Sequence, residues 1–234
     1  MSDRTARRTV AGLLATAAAL AIAGFTALGS IFDYPAVLKH PAAQILASFR
    51  EHQSGVTTWF LVLTVSAALL APAGILLGRL TGGSLGRTIA IVGVAAAVVQ
   101  VVGLSRWVLL IPGVSADALH PATAGDAEQR FEALHFWLGT IVGETIGYAL
   151  TATFTVLVVG AVAAPVWVRI LGYASAALIA TGVLIPVGVG VASLSNFAGY
   201  VLWCLWLIVM AVVLWRASGS PPARTAAPAV AARG

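Results

Sequence analysis

Residues 170–215 contain no Asp, Glu, Lys or Arg, and those four residue types make up only 9% of the 234-residue chain. At about 1.5 Å of rise per residue, that stretch builds roughly 69 Å of helix, enough to cross a ~30 Å hydrocarbon core twice. Soluble domains carry about 25% charged residues, so the scarcity of charge excludes a water-soluble globular enzyme and leaves a polytopic membrane protein. Cysteine is scarcer still. Cys204 stands alone, which excludes an internal disulfide, a CxxC redox pair and a thiolate metal cage. Lysine is almost missing, with Lys39 against twelve arginines. Together with abundant Ala, Val and Gly, that balance fits a GC-rich bacterial genome.

Several chemical signatures are also missing. There is no Walker loop, dinucleotide glycine motif or HExxH. Gly82-Gly83-Ser84-Leu85-Gly86 matches the Gly-x-Ser-x-Gly string, but a nucleophile elbow needs a strand before the Ser and a helix after it. Here the string lies in a short loop between two apolar runs. The four histidines do not fall at metal-ligand spacing, and only His135 lies in an apolar run, so no metal, haem or other cofactor is expected.

What is present is hydropathy. Hydrophobic residues make up 60% of the chain, and the mean hydropathy is +0.98. The charge-poor windows predict an all-α membrane bundle. Its single domain covers residues 1–216, with six spans at about 10–31, 55–78, 88–112, 131–160, 170–191 and 196–215. The fifth and sixth are divided at Ser193-Leu194-Ser195-Asn196. Residues 217–234 read as a disordered cytoplasmic tail. In the segment 33–54, Pro41 suits the first turn of a short helix whose face Ile45, Leu46 and Phe49 is apolar, an amphipathic helix lying on the outer membrane surface.

Charge sets the orientation. With the N-terminus inside, nine of the 13 basic residues fall on the cytoplasmic side: Arg4, Arg7, Arg8, Arg79, Arg87, Arg169, Arg216, Arg224 and Arg233. Six of the eight acids fall outside. This is the positive-inside pattern, with both ends in the cytoplasm of a bacterial plasma membrane. It also accounts for the net charge of +5 without a nucleic-acid partner.

A few polar residues then need a reason to sit in lipid. Glu144 falls near mid-membrane, where a carboxylate must be paired, protonated or wetted. Tyr148 shares its helical face. Arg106 lies roughly 9 Å below the outer surface, where it either snorkels outward or meets an acid or anion. His135 matches it in depth, and Gln100 matches Glu144. The third and fourth spans therefore form a polar seam, with Gln100 offered to Glu144 and Arg106 to His135 or Glu132. On an ideal helix His135 and Glu144, nine residues apart, point in opposite directions, which argues against a His–Glu pair. Gly139, Gly143 and Gly147 form a small-residue stripe that suits close helix packing, including a helix-mediated oligomer.

Three segments carry a family resemblance: Tyr34-Pro35 through Arg50, Gly103-Leu104-Ser105-Arg106-Trp107, and His135-Phe136-Trp137-Leu138-Gly139 through Gly143-Glu144 to Gly147-Tyr148. Together they resemble domain-of-unknown-function family 4386, small polytopic bacterial membrane proteins. The resemblance implies a helical membrane fold and no assigned activity. Where many relatives place a second His just after the Glu, this chain has Thr145, which weakens a proton-relay or metal reading built on such a His.

The reading these residues favour is a protein that binds a small molecule or lipid in an outward-open polar pocket. Arg106, Glu144, His135, Gln100 and Tyr148 line it, and the bilayer itself is the main partner. The alternatives are an intramembrane enzyme on a lipid-like substrate, a proton-coupled transporter, and a structural subunit. Reporter fusions at Gly125 and Gly234 check the topology: an outside signal at Gly125 and an inside signal at Gly234 are expected.

Overall fold

The computed structural model describes residues 1–219, and among them every regular element is helical. The expected tail therefore falls almost entirely outside the described residues. Six helical stretches are long and apolar enough to cross a membrane: Asp3–Phe32, Gln53–Thr81, Gly83–Asp117, Ala124–Ala161, Val166–Val187 and Gly190–Ala217. The fold is a polytopic helix bundle.

Only the first and last of these spans are single α-helices. The first, α1 (Asp3–Phe32), starts at Ser2, whose side chain accepts from the Thr5 amide at 3.3 Å, satisfying one of the end's free donors. After a short 3₁₀ turn and α2 (Ala42–Glu51), the second span runs as α3 (Gln53–Ala68) and α4 (Leu70–Thr81). The break falls at Leu69 because Pro72 has no N–H to give the Ala68 carbonyl. The third span breaks for the same reason. It runs as α5 (Gly83–Leu109) and α6 (Ile111–Asp117), with Pro112 just past the break at Leu110. The turn between the second and third spans is carried by Gly82 at φ +73, a conformation that glycine adopts without a Cβ clash.

The fourth span is composite. α7 (Ala124–Leu134) runs into a π-helical segment (His135–Ile146), and α8 (Gly147–Ala161) completes the crossing. The fifth is α9 (Val166–Ala180) followed by a 3₁₀ stretch, Thr181–Val187, that contains Pro186. The sixth is α10 (Gly190–Ala217).

The turn between the last two spans is a correction to the sequence reading. It falls at Gly188, φ +83, and the extended Val189, not at 193–196. The polar run Ser193–Asn196 looked like a loop, but it opens α10. Asn196 is buried and donates to the Ile179 carbonyl at 2.8 Å, so its polarity is satisfied across a helix interface rather than in water.

Successive spans pack side by side, and α10 closes the ring against α1. Two apolar cores stack along the bundle axis. One gathers α1, α4, α5, α8, α9 and α10 around residues such as Leu14, Leu77, Phe154 and Leu207. The other, at the end that carries the longer connections, joins the end of α1 to α2, α3, α5, α6 and α7. The predicted face of α2 is the buried one, with Ile45, Leu46 and Phe49 all at 2% exposure or less. That face is turned onto the second core, so α2 covers the end of the bundle, and its apolar side is not left for a bilayer surface. Between the two cores lie the polar side chains of the third and fourth spans.

Candidate functional site

Arg106 does not snorkel. It is 4% exposed, with the guanidinium turned onto the fourth span. Gly139 makes room for it: a Cβ there would lie 2.7 Å from Nη2 and 2.8 Å from Cζ. Two more glycines set the spacing. A Cβ on Gly103 would come within 2.5 Å of the Gly143 Cα, so the two backbones are in direct contact. The stripe expected at Gly139, Gly143 and Gly147 is thus taken up by α5 of the same chain, with Gly147 against the Gln100 stem. That face has no space for a second copy.

The guanidinium is held at one corner. Nη1 donates to the Gly103 carbonyl of its own helix, and Cζ lies 5.4 Å from the Trp107 ring centroid, a cation–π distance. Nε and Nη2 are buried and have no hydrogen-bond partner among the described residues. Buried donors are almost always satisfied; of the six buried side-chain atoms without a partner among the described residues, these two belong to one arginine.

The π-helical segment changes which residues face Arg106. Hydrogen bonds from i to i+5 widen the turn to about 4.4 residues, or roughly 82° per residue in place of about 100°. Nine residues then make close to two full turns. His135 and Glu144, opposed on the ideal α-helix used for the sequence reading, come back to one side. The five-residue spacing recurs in the side chains, where Thr145 Oγ1 donates to the Thr140 carbonyl at 2.8 Å.

Glu144 lies within electrostatic reach of Arg106, Tyr148 and Tyr34. It forms no direct ion pair with Arg106. Among the described residues the one ion pair is Arg130–Asp117 at 2.6 Å, exposed on α7 and α6, where such pairs contribute little. Glu132 is exposed and does not meet Arg106. His135 stacks on Phe131 with ring centroids 6.0 Å apart, and its Nδ1 is buried without a partner among the described residues. Gln100 turns away from Glu144 and donates from Nε2 to Thr151 Oγ1 at 2.8 Å. Tyr148 sits edge-on to Tyr200 at 5.6 Å, and glycine at 182 leaves room for its ring. The structure therefore brings Arg106, His135, Glu144 and Tyr148 into one charged neighbourhood and leaves Gln100 beside it, bonded elsewhere.

Tyr34 is the member that sequence reasoning missed. It follows α1, packs edge-on against Phe60 at 5.2 Å, and is partly buried. Burial holds its hydroxyl above the ordinary phenol range; the nearby Glu144 adds to this, and Arg106 opposes it. Its proton therefore stays on at neutral pH, leaving a neutral donor near Arg106 and Glu144. The Tyr34-Pro35 step reads only as a turn, although Tyr34 opens the first of the segments that carry the family resemblance.

The seam is closed toward the end that bears α2. Trp107 stacks on Phe60 at 4.9 Å and packs against Phe32, Phe49 and Phe131 at 5.3, 6.0 and 6.0 Å. All five rings are 2% exposed or less. On the other flank, Val142, Gly143 and Glu144 are partly exposed. Two shallow surface depressions lie elsewhere, one at Thr123, Asp126 and Arg130 and one at Ser30, Asp33 and His40.

These contacts make opposite predictions for two alanine substitutions. Gly103→Ala drives a methyl into the Gly143 backbone and should cost about 1–3 kcal/mol. Gly139→Ala meets the guanidinium of Arg106, a side-chain end that can be displaced from its place at less cost than a helix backbone. It also gains helix propensity, so it should cost less than about 1 kcal/mol. Melting temperatures of the two variants in one detergent give the order; equal losses would contradict the packing described.

No curated protein and no solved structure matches the chain. The model of the family described as "Domain of unknown function (DUF4386)" matches residues 10–211. That match covers most of the chain and all three motif segments, and the protein belongs to the DUF4386 family.

Proposed function

We propose that this chain is a multi-pass protein of the bacterial cytoplasmic membrane, with both ends inside, that binds a small molecule or lipid in the seam between its third and fourth spans. The observation that carries the reading is Arg106: a buried cation in a span, with two guanidinium nitrogens unpartnered. An uncompensated buried charge costs several kcal/mol, and a ligand is the simplest thing to offset it. His135, Glu144, Tyr148 and Tyr34 surround the same place. The aromatic cluster around Trp107 stands between the seam and the α2 end. Entry therefore runs along the partly exposed flank at Val142–Glu144 instead of straight down from the outer surface.

A second reading draws support from the π-helical segment. With His135 and Glu144 on one side, an acid–base pair working on a lipid-like substrate becomes feasible. In that case Glu144→Gln keeps the ligand bound and stops turnover.

The binding reading makes an unusual stability prediction. Arg106→Met removes a buried charge that has no direct counter-ion, so its melting temperature should stay level or rise. The same variant should lose whatever copurifies with the wild-type chain, read by native mass spectrometry from nanodiscs. A large drop in melting temperature would make Arg106 a structural residue, and a retained ligand would remove it from the site.

A further inference from the structure

The two unpartnered nitrogens of Arg106 are a specific pair. Nη1 is occupied by the Gly103 carbonyl, and it is the nitrogen on the Cδ side of the guanidinium. Nε and Nη2 form the opposite edge, where their N–H bonds run nearly parallel. Two parallel N–H donors are the fork that grips both oxygens of a carboxylate or phosphate at once. The fork is also held in place. Gly139 lies against the guanidinium, 2.7–3.3 Å from its atoms as measured from a Cβ built at that position, and Trp107 flanks it. An arginine fixed this way has already lost the side-chain freedom that binding would otherwise cost it.

The geometry points to a ligand with an oxyanion head, a carboxylate or phosphate, held by Arg106 Nε and Nη2 together, and with an apolar tail. This rests on the binding reading above and names its ligand class. The head follows from the fork. The tail follows from the surroundings: the partly exposed flank at Val142–Glu144 is bordered by Phe136, Trp137 and Ile146, exposed at 48%, 61% and 42% on a membrane-length helix. A ligand arriving there crosses hydrocarbon. Two more buried nitrogens nearby, Trp107 Nε1 and His135 Nδ1, lack a partner among the described residues, and His135, from the turn-widened segment, can serve a second oxygen of a phosphate. Glu144 is the chain's own acid in the neighbourhood, and among the described residues it makes no ion pair with the fork, so the two parallel donors are left to an entering head.

The test uses the full chain in nanodiscs of zwitterionic lipid, with dodecanoate and dodecanol as probes of matched length, and acetate and inorganic phosphate as probes without a tail. The readout is the apparent affinity from ligand-induced shifts in melting temperature. Dodecanoate should bind the wild type roughly tenfold or more tightly than dodecanol, the scale of one charge-assisted pair of hydrogen bonds. Arg106→Lys keeps the charge and loses the fork, and should forfeit that preference. Stabilisation by acetate or phosphate at similar concentrations would identify a soluble oxyanion as the source and overturn the apolar tail, whereas a response to dodecanoate alone supports the amphiphile.

Equal binding of dodecanoate and dodecanol would overturn the oxyanion head while leaving the binding reading intact. Binding of neither overturns the head as well, and native mass spectrometry then decides the binding reading by itself. Full retention in Arg106→Lys overturns the two-pronged grip.

Discussion

A guanidinium inside a membrane-length bundle needs an answer for its charge and for each of its N–H groups, and much of the third and fourth spans is arranged around that need. Gly103 supplies a carbonyl to one corner. Gly139 gives up a side chain so that the rest can lie flat. Trp107 offers its ring and at the same time anchors the aromatic cluster that closes one end. Glu144 stands within electrostatic reach without pairing directly. Each of these would be an odd choice taken alone. Glycines weaken helices, and an acid in a span is costly. Around Arg106 they form one consistent environment.

The π-helical segment belongs to the same environment. Twelve residues, His135–Ile146, adopt the wider turn, where most such features are single-turn bulges. Three glycine positions in and beside it lower the backbone cost and let α5 approach. The wider turn also redistributes side chains: Gly139 and Gly143 stay toward α5, while His135 and Glu144 come into register with each other. A purely α-helical fourth span would keep the glycine contacts and lose that register.

The sequence made some of this readable and hid the rest for physical reasons. That there are six spans was legible in the charge-poor windows because lipid imposes length and hydropathy directly. The face of α2 was readable because Ile45, Leu46 and Phe49 follow the α-helical period. Arg106, His135, Glu144 and Tyr148 stood out as polar groups in apolar surroundings, and they do gather. Two things stayed hidden. Helix type within a span is not encoded in hydropathy, so an ideal α-helix put His135 and Glu144 on opposite sides. Partner choice is not encoded either: Gln100 was matched to Glu144 by depth, but Thr151 presents a hydroxyl at hydrogen-bonding distance. The last turn was misplaced because Ser193–Asn196 is polar, whereas the chain actually bends where Gly188 permits a positive φ.

The closure of the ring through α1 and α10 has a consequence for connectivity. Arg8 reaches across this seam, donating from Nε to Ser218 Oγ at 3.2 Å and lying 5.1 Å over the Trp215 ring. The two ends of the described chain are therefore neighbours on the same side of the bundle. Every span has its sequence neighbours beside it, so no helix holds a privileged first or last place. A circularly permuted chain, opened at the exposed Gly82-Gly83 turn and joined from Ser218 to Asp3, would preserve each pairwise interface. Its insertion order would begin with the span that carries Arg106.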